Sequence, residues 1–311
     1  MEIAVTARRD HLERGESIIL LSFRRVRPDM TRGSKVKHHP RDEILTRNPP
    51  RNEHFSNPLF VSSLEKAVKV LYVFGGNESR LTATEIARAS GLDTSAVQRF
   101  IFSLCALGFL EKDVRTKRYK LSARMLDFAY LYLRSDPLVA VAHPHLVQLS
   151  QTVKEDINLS ILDDADVIYV ARALARDERA LPSLVGGRMP SFCTSNGRVL
   201  LAHLEPAKAA KIIELSDRRP LTPETVIDAV RILERIAEAR EQGFCIVDGE
   251  SEPGIVSVAV PIVDTEGKPM AAINAPLARG KRTKSNIRGE LIPELRKTAE
   301  IICRSLNGVD F

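Results

Sequence analysis

The sequence predicts an α+β protein in two parts. A small module of three helices and a hairpin comes first, and a larger domain with an antiparallel sheet follows. Three observations predict this. Residues 62–75 and 81–108 carry apolar residues at helical spacing in three short runs, and a strand–turn–strand pattern follows directly. Beyond residue 136, strand-like runs (INLSILDD, DVIYVARALA, FCIVD, GIVSVAVPIVD, KPMAAINAPL) alternate irregularly with helical ones, which indicates α+β rather than a doubly wound parallel sheet. At ~100–200 residues per domain, 311 residues hold two folded domains.

The N-terminal module is built as follows. SSLEKAVKVLYVFGG places Leu64, Val68, Leu71 and Phe74 on one helical face. Thr82 and Glu85 have capping-box spacing at the start of a second helix, and Gly91 ends it where a left-handed residue is needed. Asp93 caps a third helix, whose Val97, Phe100, Ile101 and Leu104 face inward and whose Thr94, Ser95, Gln98 and Arg99 face outward. A helix–turn–helix puts its second helix in the major groove of DNA. An amide suits adenine and a guanidinium suits guanine, so Gln98 and Arg99 are candidate base readers. On these residues alone, a solvated face of an αα-hairpin is an equal alternative. Two short strands, Phe109–Lys112 and Tyr119–Leu121, then enclose a basic turn and complete the order of a winged helix. Arg115, Lys117 and Arg118 in and beside that turn are candidate phosphate or minor-groove contacts.

Ser122 is a candidate cap for the next helix, ARMLDFAYLYLRS, which is apolar on two faces and reads as a linker that also packs on a partner chain. Pro137–Val153 reads as a helix, and an acidic turn at Asp163–Asp166 joins the first two strands of the larger domain as a hairpin. GRVLLAHL and EPAKAAKIIEL read as short helices. TPETVIDAVRILERIAEAREQG reads as one long helix with Thr222 as cap, Pro223 first and Gly243 as stop. A turn at Asp264–Gly267 and a last helix over Lys284–Leu306 complete the chain.

Charge divides along the same lines. Residues 1–58 hold 12 Lys/Arg against 8 Asp/Glu, residues 59–122 hold 10 against 6, and the remainder holds 24 against 26. The helix–turn–helix segment is therefore basic, as a phosphate-contacting module should be, and the larger domain is not. Residues 1–58 show no sustained apolar period beyond IILLSF and are expected to be a disordered basic extension. Such a segment can be an arm that adds DNA affinity; composition favours a dispensable extension, or upstream sequence from a misassigned start. No apolar run approaches the ~20 residues of a membrane span, and no signal-peptide layout is visible, so a cytoplasmic protein is expected.

Chemistry is sparse in the larger part. Four scattered cysteines form neither a disulfide framework nor a CxxC pair. His143-Pro144-His145 lacks companion ligands, so no metal is expected. Cys193 has no identifiable activating neighbour and reads as a buried or pocket-lining thiol. Gly186-Gly187 lacks the helix and Lys of a phosphate loop. With no catalytic constellation, an enzyme acting on a small acid, with the helix pair as an unrelated docking module, is the weaker alternative. The polar CTSN loop that opens the GRVLLA helix can present backbone N–H groups to a small carboxylate, or can simply cap the helix.

The order LEKAVKVL, LTATEIARASGLDTSAVQRFIFSLCALGFLEKD…YKLS, MPSFCTSNGRVLLA and QGF…VDGESEPGIVSVAVPIVDTEGKPMAAI resembles the IclR family of bacterial transcriptional regulators over residues 60–308. The CTSNGRVLLA segment resembles the branch that controls aromatic-acid catabolism, the protocatechuate and β-ketoadipate type. The resemblance implies a winged helix–turn–helix at 59–121, a linker helix at 122–135 and a GAF/PAS-like effector domain at 136–308. It further implies homodimers or homotetramers on palindromic double-stranded operators, a small organic acid as effector, and no cofactor or catalytic activity. Carried over by position, the effector pocket comprises Ser195, Asn196, Asp248, Ser257 and Asn274, with Arg188 and Cys193 nearby. The chain departs from the branch at EPGIVS, where Pro253 and Val256 stand in a segment that usually reads EEGLRS; Val256 replaces an Arg able to pair with a carboxylate. The N-terminal extension is also longer than usual.

Overall fold

The computed structural model describes residues 57–76, 78–175 and 185–307; the expected disordered extension lies outside them but for its last two residues. Helix α1 (Ser62–Tyr72) runs into a 3-10 turn at Val73–Gly75. Its inward face is the expected one in part, since Leu71 and Phe74 pack in the core. Val70 and Phe74 are buried, whereas Leu64 is 65% exposed.

Helix α2 (Ala83–Ser90) begins with the full capping box: the Glu85 N–H donates to Thr82 Oγ1 at 3.3 Å, and the Thr82 N–H donates to Glu85 Oε2 at 2.7 Å. Gly91 ends it at φ 67°, where a Cβ would be strained. Helix α3 (Thr94–Ala106) starts at Asp93, whose Oδ1 accepts the Ala96 N–H at 2.8 Å. Val97, Ile101 and Leu104 join Ile86, Val70 and Phe74 in one small core. Strands β1 (Leu110–Lys112) and β2 (Tyr119–Leu121) pair antiparallel, Leu110 opposite Leu121, and Leu81 bridges to Tyr119 so that the wing is tied to the helices.

Helix α4 (Met125–Ser135) buries none of its residues. Ser122 does not cap it. Its hydroxyl donates back to the Gly108 carbonyl and accepts the Arg124 N–H, fastening the end of the wing instead. Helix α5 (Pro137–Val153) follows, with Asp136 as cap and Pro137 in the first turn.

The larger sheet has the order β5-β4-β3-β8-β7-β6, and every neighbouring pair is antiparallel. Its strands are β3 (Ile157–Asp163), β4 (Asp166–Ala173), β5 (Arg188–Pro190), β6 (Cys245–Asp248), β7 (Ile255–Val263) and β8 (Pro269–Ala278). Side chains alternate between its two faces. One face (Leu159, Val258, Val260, Ile273, Ala275) packs on α5 and on α9 (Ile292–Asn307). The other packs on α6 (Ser195–Ala202), and with α7 (Pro206–Leu215) and α8 (Ala229–Gln242) it forms a second core. The α+β expectation with an antiparallel sheet therefore holds.

Two helix boundaries differ from expectation. Helix α8 starts at Ala229 behind the cap Asp228, not at Thr222. Thr222 is buried, its hydroxyl donates to the Gly249 carbonyl at 2.7 Å, and Thr225 Oγ1 donates to the Glu250 carbonyl at 2.6 Å. The TPET segment is thus pinned to the turn between β6 and β7, which its own sequence does not announce. The last helix is not continuous either: a turn at Lys284–Asn286 and a π-turn at Ile287–Leu291 precede α9.

Candidate nucleic-acid interface and effector site

The third helix presents the expected residues. Thr94, Ser95, Gln98 and Arg99 are all exposed, on the side away from Val97, Ile101 and Leu104. Ser95 donates its hydroxyl to Asp93 at 2.7 Å, so it reinforces the cap. The N–H groups of Ala96 and then the Ser95 hydroxyl hold the Asp93 carboxyl below its ordinary value.

In the wing, Asp113 Oδ1 accepts the N–H groups of Arg115 at 2.9 Å and Thr116 at 3.1 Å, and these bonds, Thr116 first, lower its pKa. The turn this fixes leaves Arg115 and Lys117 exposed, with Lys117 in the left-handed region at φ 55°. Arg118 is presented differently. Its guanidinium turns back to the Arg80 carbonyl at 2.6 Å, to Glu85 at 3.2 Å and to Glu78 at 3.3 Å. It therefore ties the wing to the capping box of α2.

In the larger domain the structure brings four of the seven expected effector residues together and separates the rest. Ser195 and Asn196, at the start of α6, lie against the sheet. Ser195 Oγ is 2.7 Å from Ser257 Oγ on β7. Asn196 Nδ2 donates to Ser160 Oγ on β3 at 2.7 Å and to Asn274 Oδ1 on β8 at 3.2 Å. Asn274 Nδ2 donates to Ser257 Oγ at 2.8 Å. Asn158, paired opposite Asn274 in the ladder, adds its amide at 3.3 Å. All six side chains are buried. They form a polar seam in an otherwise apolar layer, where each unpaired group costs about 1–3 kcal/mol. Among the described residues, no donor reaches Asn158 Oδ1. Asn158 and Ser160 were missed from the sequence; the signal was two polar residues at alternate positions of INLSILDD, on the face opposite Ile157 and Leu159.

Cys193 is buried in the 3-10 turn just before α6. Thr194 caps that helix: its hydroxyl accepts the Gly197 N–H at 3.2 Å and donates to the Pro190 carbonyl at 2.9 Å. Arg188 and Asp248 stand elsewhere. Arg188 is on edge strand β5, ion-paired with Asp163 and, at 3.6 Å, with Asp166. Asp248 is on the opposite edge strand, β6, exposed and bonded to Arg279 at 2.7 Å. Five strand steps separate those edges along the sheet, and each side chain is held in its own ion pair. Val256 faces the α5/α9 side, whereas Ser257 faces the seam. The substitution at position 256 therefore removes no partner from the seam, contrary to the expectation.

A second feature was also missed. Arg198, 1% exposed, donates from Nη1 and Nη2 to the two oxygens of Glu250 at 2.7 Å each, and from Nε to the Phe192 carbonyl at 2.8 Å. Burial works against the Arg198 charge, but the Glu250 hydrogen bonds and charge outweigh it and raise its pKa. The pair floors a cavity of about 370 Å³ that Asp248, Phe244 and Arg288 also line. Beside it, burial pushes the Cys245 thiol up to about 11. Among the described residues no group of three or more His, Cys, Asp or Glu is placed to hold a metal, and no helix is long and apolar enough to cross a membrane.

A winged helix–turn–helix followed by an α+β domain is the architecture of a DNA-binding regulator. Comparison with known proteins makes this specific. Residues 63–114 match the IclR helix-turn-helix domain, and residues 130–304 match the C-terminal domain of the bacterial transcriptional regulator IclR. The chain is 33% identical over 253 residues to the Pca regulon regulatory protein of Pseudomonas putida, covering 81% of this chain and 86% of that protein. It is 29% identical to the p-hydroxybenzoate hydroxylase transcriptional activator of Acinetobacter baylyi, over 81% of this chain and 94% of that one. Among solved structures, a transcriptional regulator from Rhodococcus sp. RHA1 superposes with a TM-score of 0.68 and 34% identity, covering 81% of this chain and 100% of that one. An IclR homolog from Microbacterium hydrocarbonoxydans, complexed with 4-hydroxybenzoate, gives 0.65 and 26%, covering 79% and 100%. The chain belongs to the IclR family and is a DNA-binding transcriptional regulator.

Proposed function

We propose that this regulator binds a hydroxylated aromatic acid against the polar seam and reads a two-fold operator as a homodimer or homotetramer. The observation that carries the ligand reading is the seam itself. Polar side chains converge from three neighbouring strands and the start of α6, with one buried acceptor, Asn158 Oδ1, unmatched among the described residues. A ligand hydroxyl supplies the missing donor, and the N-terminal end of α6 in the same layer favours a carboxylate. Relatives named for the pca regulon and for p-hydroxybenzoate hydroxylase, and the homolog bound to 4-hydroxybenzoate, support the same chemical class. Arg188 and Asp248 are assigned to their own ion pairs, not to the ligand.

On the DNA side, Gln98 and Arg99 contact bases, flanked by Thr94 and Ser95. Arg115 and Lys117 contact phosphates, and Arg118 positions the wing. The working parts are the DNA-binding module at 59–121, the linker helix at 122–135 and the effector domain at 136–308, in a cytoplasmic protein. Leu126, Phe128, Tyr130 and Leu131 on α4 are each more than half exposed, which supports a second copy packing there. Two half-sites also supply the phosphate contacts that one winged helix lacks.

Calorimetry of the full chain against 4-hydroxybenzoate, protocatechuate and β-ketoadipate tests the ligand reading, with operator shift measured in parallel. Binding should change operator affinity by about 5–150-fold, the usual coupling range. Ser195→Ala combined with Asn274→Ala should abolish it. Undiminished binding by that variant, checked for folding, puts the ligand elsewhere. Failure of both aromatic acids removes the aromatic assignment, and binding of β-ketoadipate alone replaces it with an aliphatic acid.

A further inference from the structure

Phe102 is the one large apolar side chain on the outward face of α3, and it is 76% exposed. It lies one helical turn beyond Gln98 and three residues beyond Arg99, so all three side chains share that face. The core of the module lies on the other side, through Val97, Ile101 and Leu104. The neighbouring Ser103 spends its hydroxyl on the Arg99 carbonyl at 3.0 Å, so it is not a competing reader.

We infer that Phe102 reads a thymine through its C5-methyl group. The inference rests on the reading of α3 as the groove helix. The thymine methyl is the apolar group that the major groove presents, and Phe is a side chain suited to it. At 1.5 Å rise per residue, Phe102 stands about 4.5 Å from Arg99 and about 6 Å from Gln98 along the helix. Base pairs stack about 3.4 Å apart, so Phe102 meets a pair one or two steps from those read by the polar residues. An aromatic ring there adds discrimination that no hydrogen bond supplies: it favours thymine over cytosine, whose major-groove edge carries an amine and no methyl.

The test uses the full-length protein and operator fragments recovered by selection with it. Each thymine in a half-site is replaced singly by deoxyuridine, which removes the methyl and leaves pairing intact. For the wild type, one position per half-site should weaken binding about three- to fivefold, the worth of one buried methyl. Phe102→Ala should lose a similar factor on the parent operator and become insensitive to deoxyuridine at that position alone. Thermal melting checks that the variant folds, which the exposure of Phe102 favours. If Phe102→Ala retains the full deoxyuridine penalty at every position, or loses affinity equally on all sequences, the inference is overturned. Arg99→Ala is run beside it. Unchanged operator affinity in that variant removes the groove-helix reading itself, and a loss confined to Arg99→Ala overturns the Phe102 assignment only.

Discussion

Removing the Glu250 carboxylate should unfold the effector domain at far lower denaturant. The guanidinium of Arg198 is 1% exposed, and two of its nitrogens donate to Glu250 at 2.7 Å. Glu250 Oε2 also accepts the Val226 N–H at 3.0 Å, so the carboxylate links α6 to the segment that leads into α8. In Glu250→Ala the buried cation keeps only the Phe192 carbonyl. Stranding one member of a buried pair costs about 3–5 kcal/mol. With a urea slope of ~2 kcal/mol/M, the midpoint should fall by about 1.5–2.5 M. The double variant Arg198→Met with Glu250→Leu removes both charges, and replacing a whole buried pair is often close to neutral. It should therefore be more stable than Glu250→Ala alone. Urea melts of the wild type, Arg198→Met, Glu250→Leu and the double variant built from those two, followed by circular dichroism, give the coupling. A midpoint shift under ~0.3 M for Glu250→Ala, or strict additivity of the two substitutions, would refute the argument that the pair is desolvated and cooperative.

Two further outcomes follow from the geometry. Gly197→Ala places a Cβ 2.2 Å from the Ser191 carbonyl oxygen and 2.3 Å from its Cα, both backbone, so α6 must move off the 3-10 turn. The cost should be at least about 1–3 kcal/mol by thermal melting, with ligand binding weakened; a neutral substitution would mean that the contact relaxes freely. For pH, the carboxyls of Glu85, Asp93 and Asp113 are all depressed, in each case chiefly by a backbone N–H: of Thr82, Ala96 and Thr116 respectively. Their folded values lie below the unfolded ones, so their contribution is complete above about pH 5 and is lost as the pH falls through the depressed values. The module should melt at lower temperature below about pH 4, and Asp93→Asn, which keeps a capping oxygen, should flatten that dependence. An unchanged pH profile in Asp93→Asn would remove Asp93 from the account.

The sequence by itself determined the features whose causes span three or four residues. Thr82 with Glu85, Asp93, Gly91 and the β1–β2 turn act through bonds between near neighbours, so their spacing is legible without a fold. The exposed face of α3 follows from the same local periodicity. The overall order of the two domains was legible because each carries its own hydrophobic pattern. What only the tertiary structure decided are contacts between distant segments. The seam joins Asn158 to a partner 116 residues away, and the buried ion pair joins residues 52 apart. No spacing rule announces such pairs, because the sheet order that brings β3 beside β8 is set by packing of both faces at once. The same cause moved Asp248 and Arg188 to opposite edges, whereas Val256 turns away from Ser257 by the two-residue period of the strand itself. One residue along a strand reverses the face, and strand order across the sheet, not order in the chain, decides which side chains share a site.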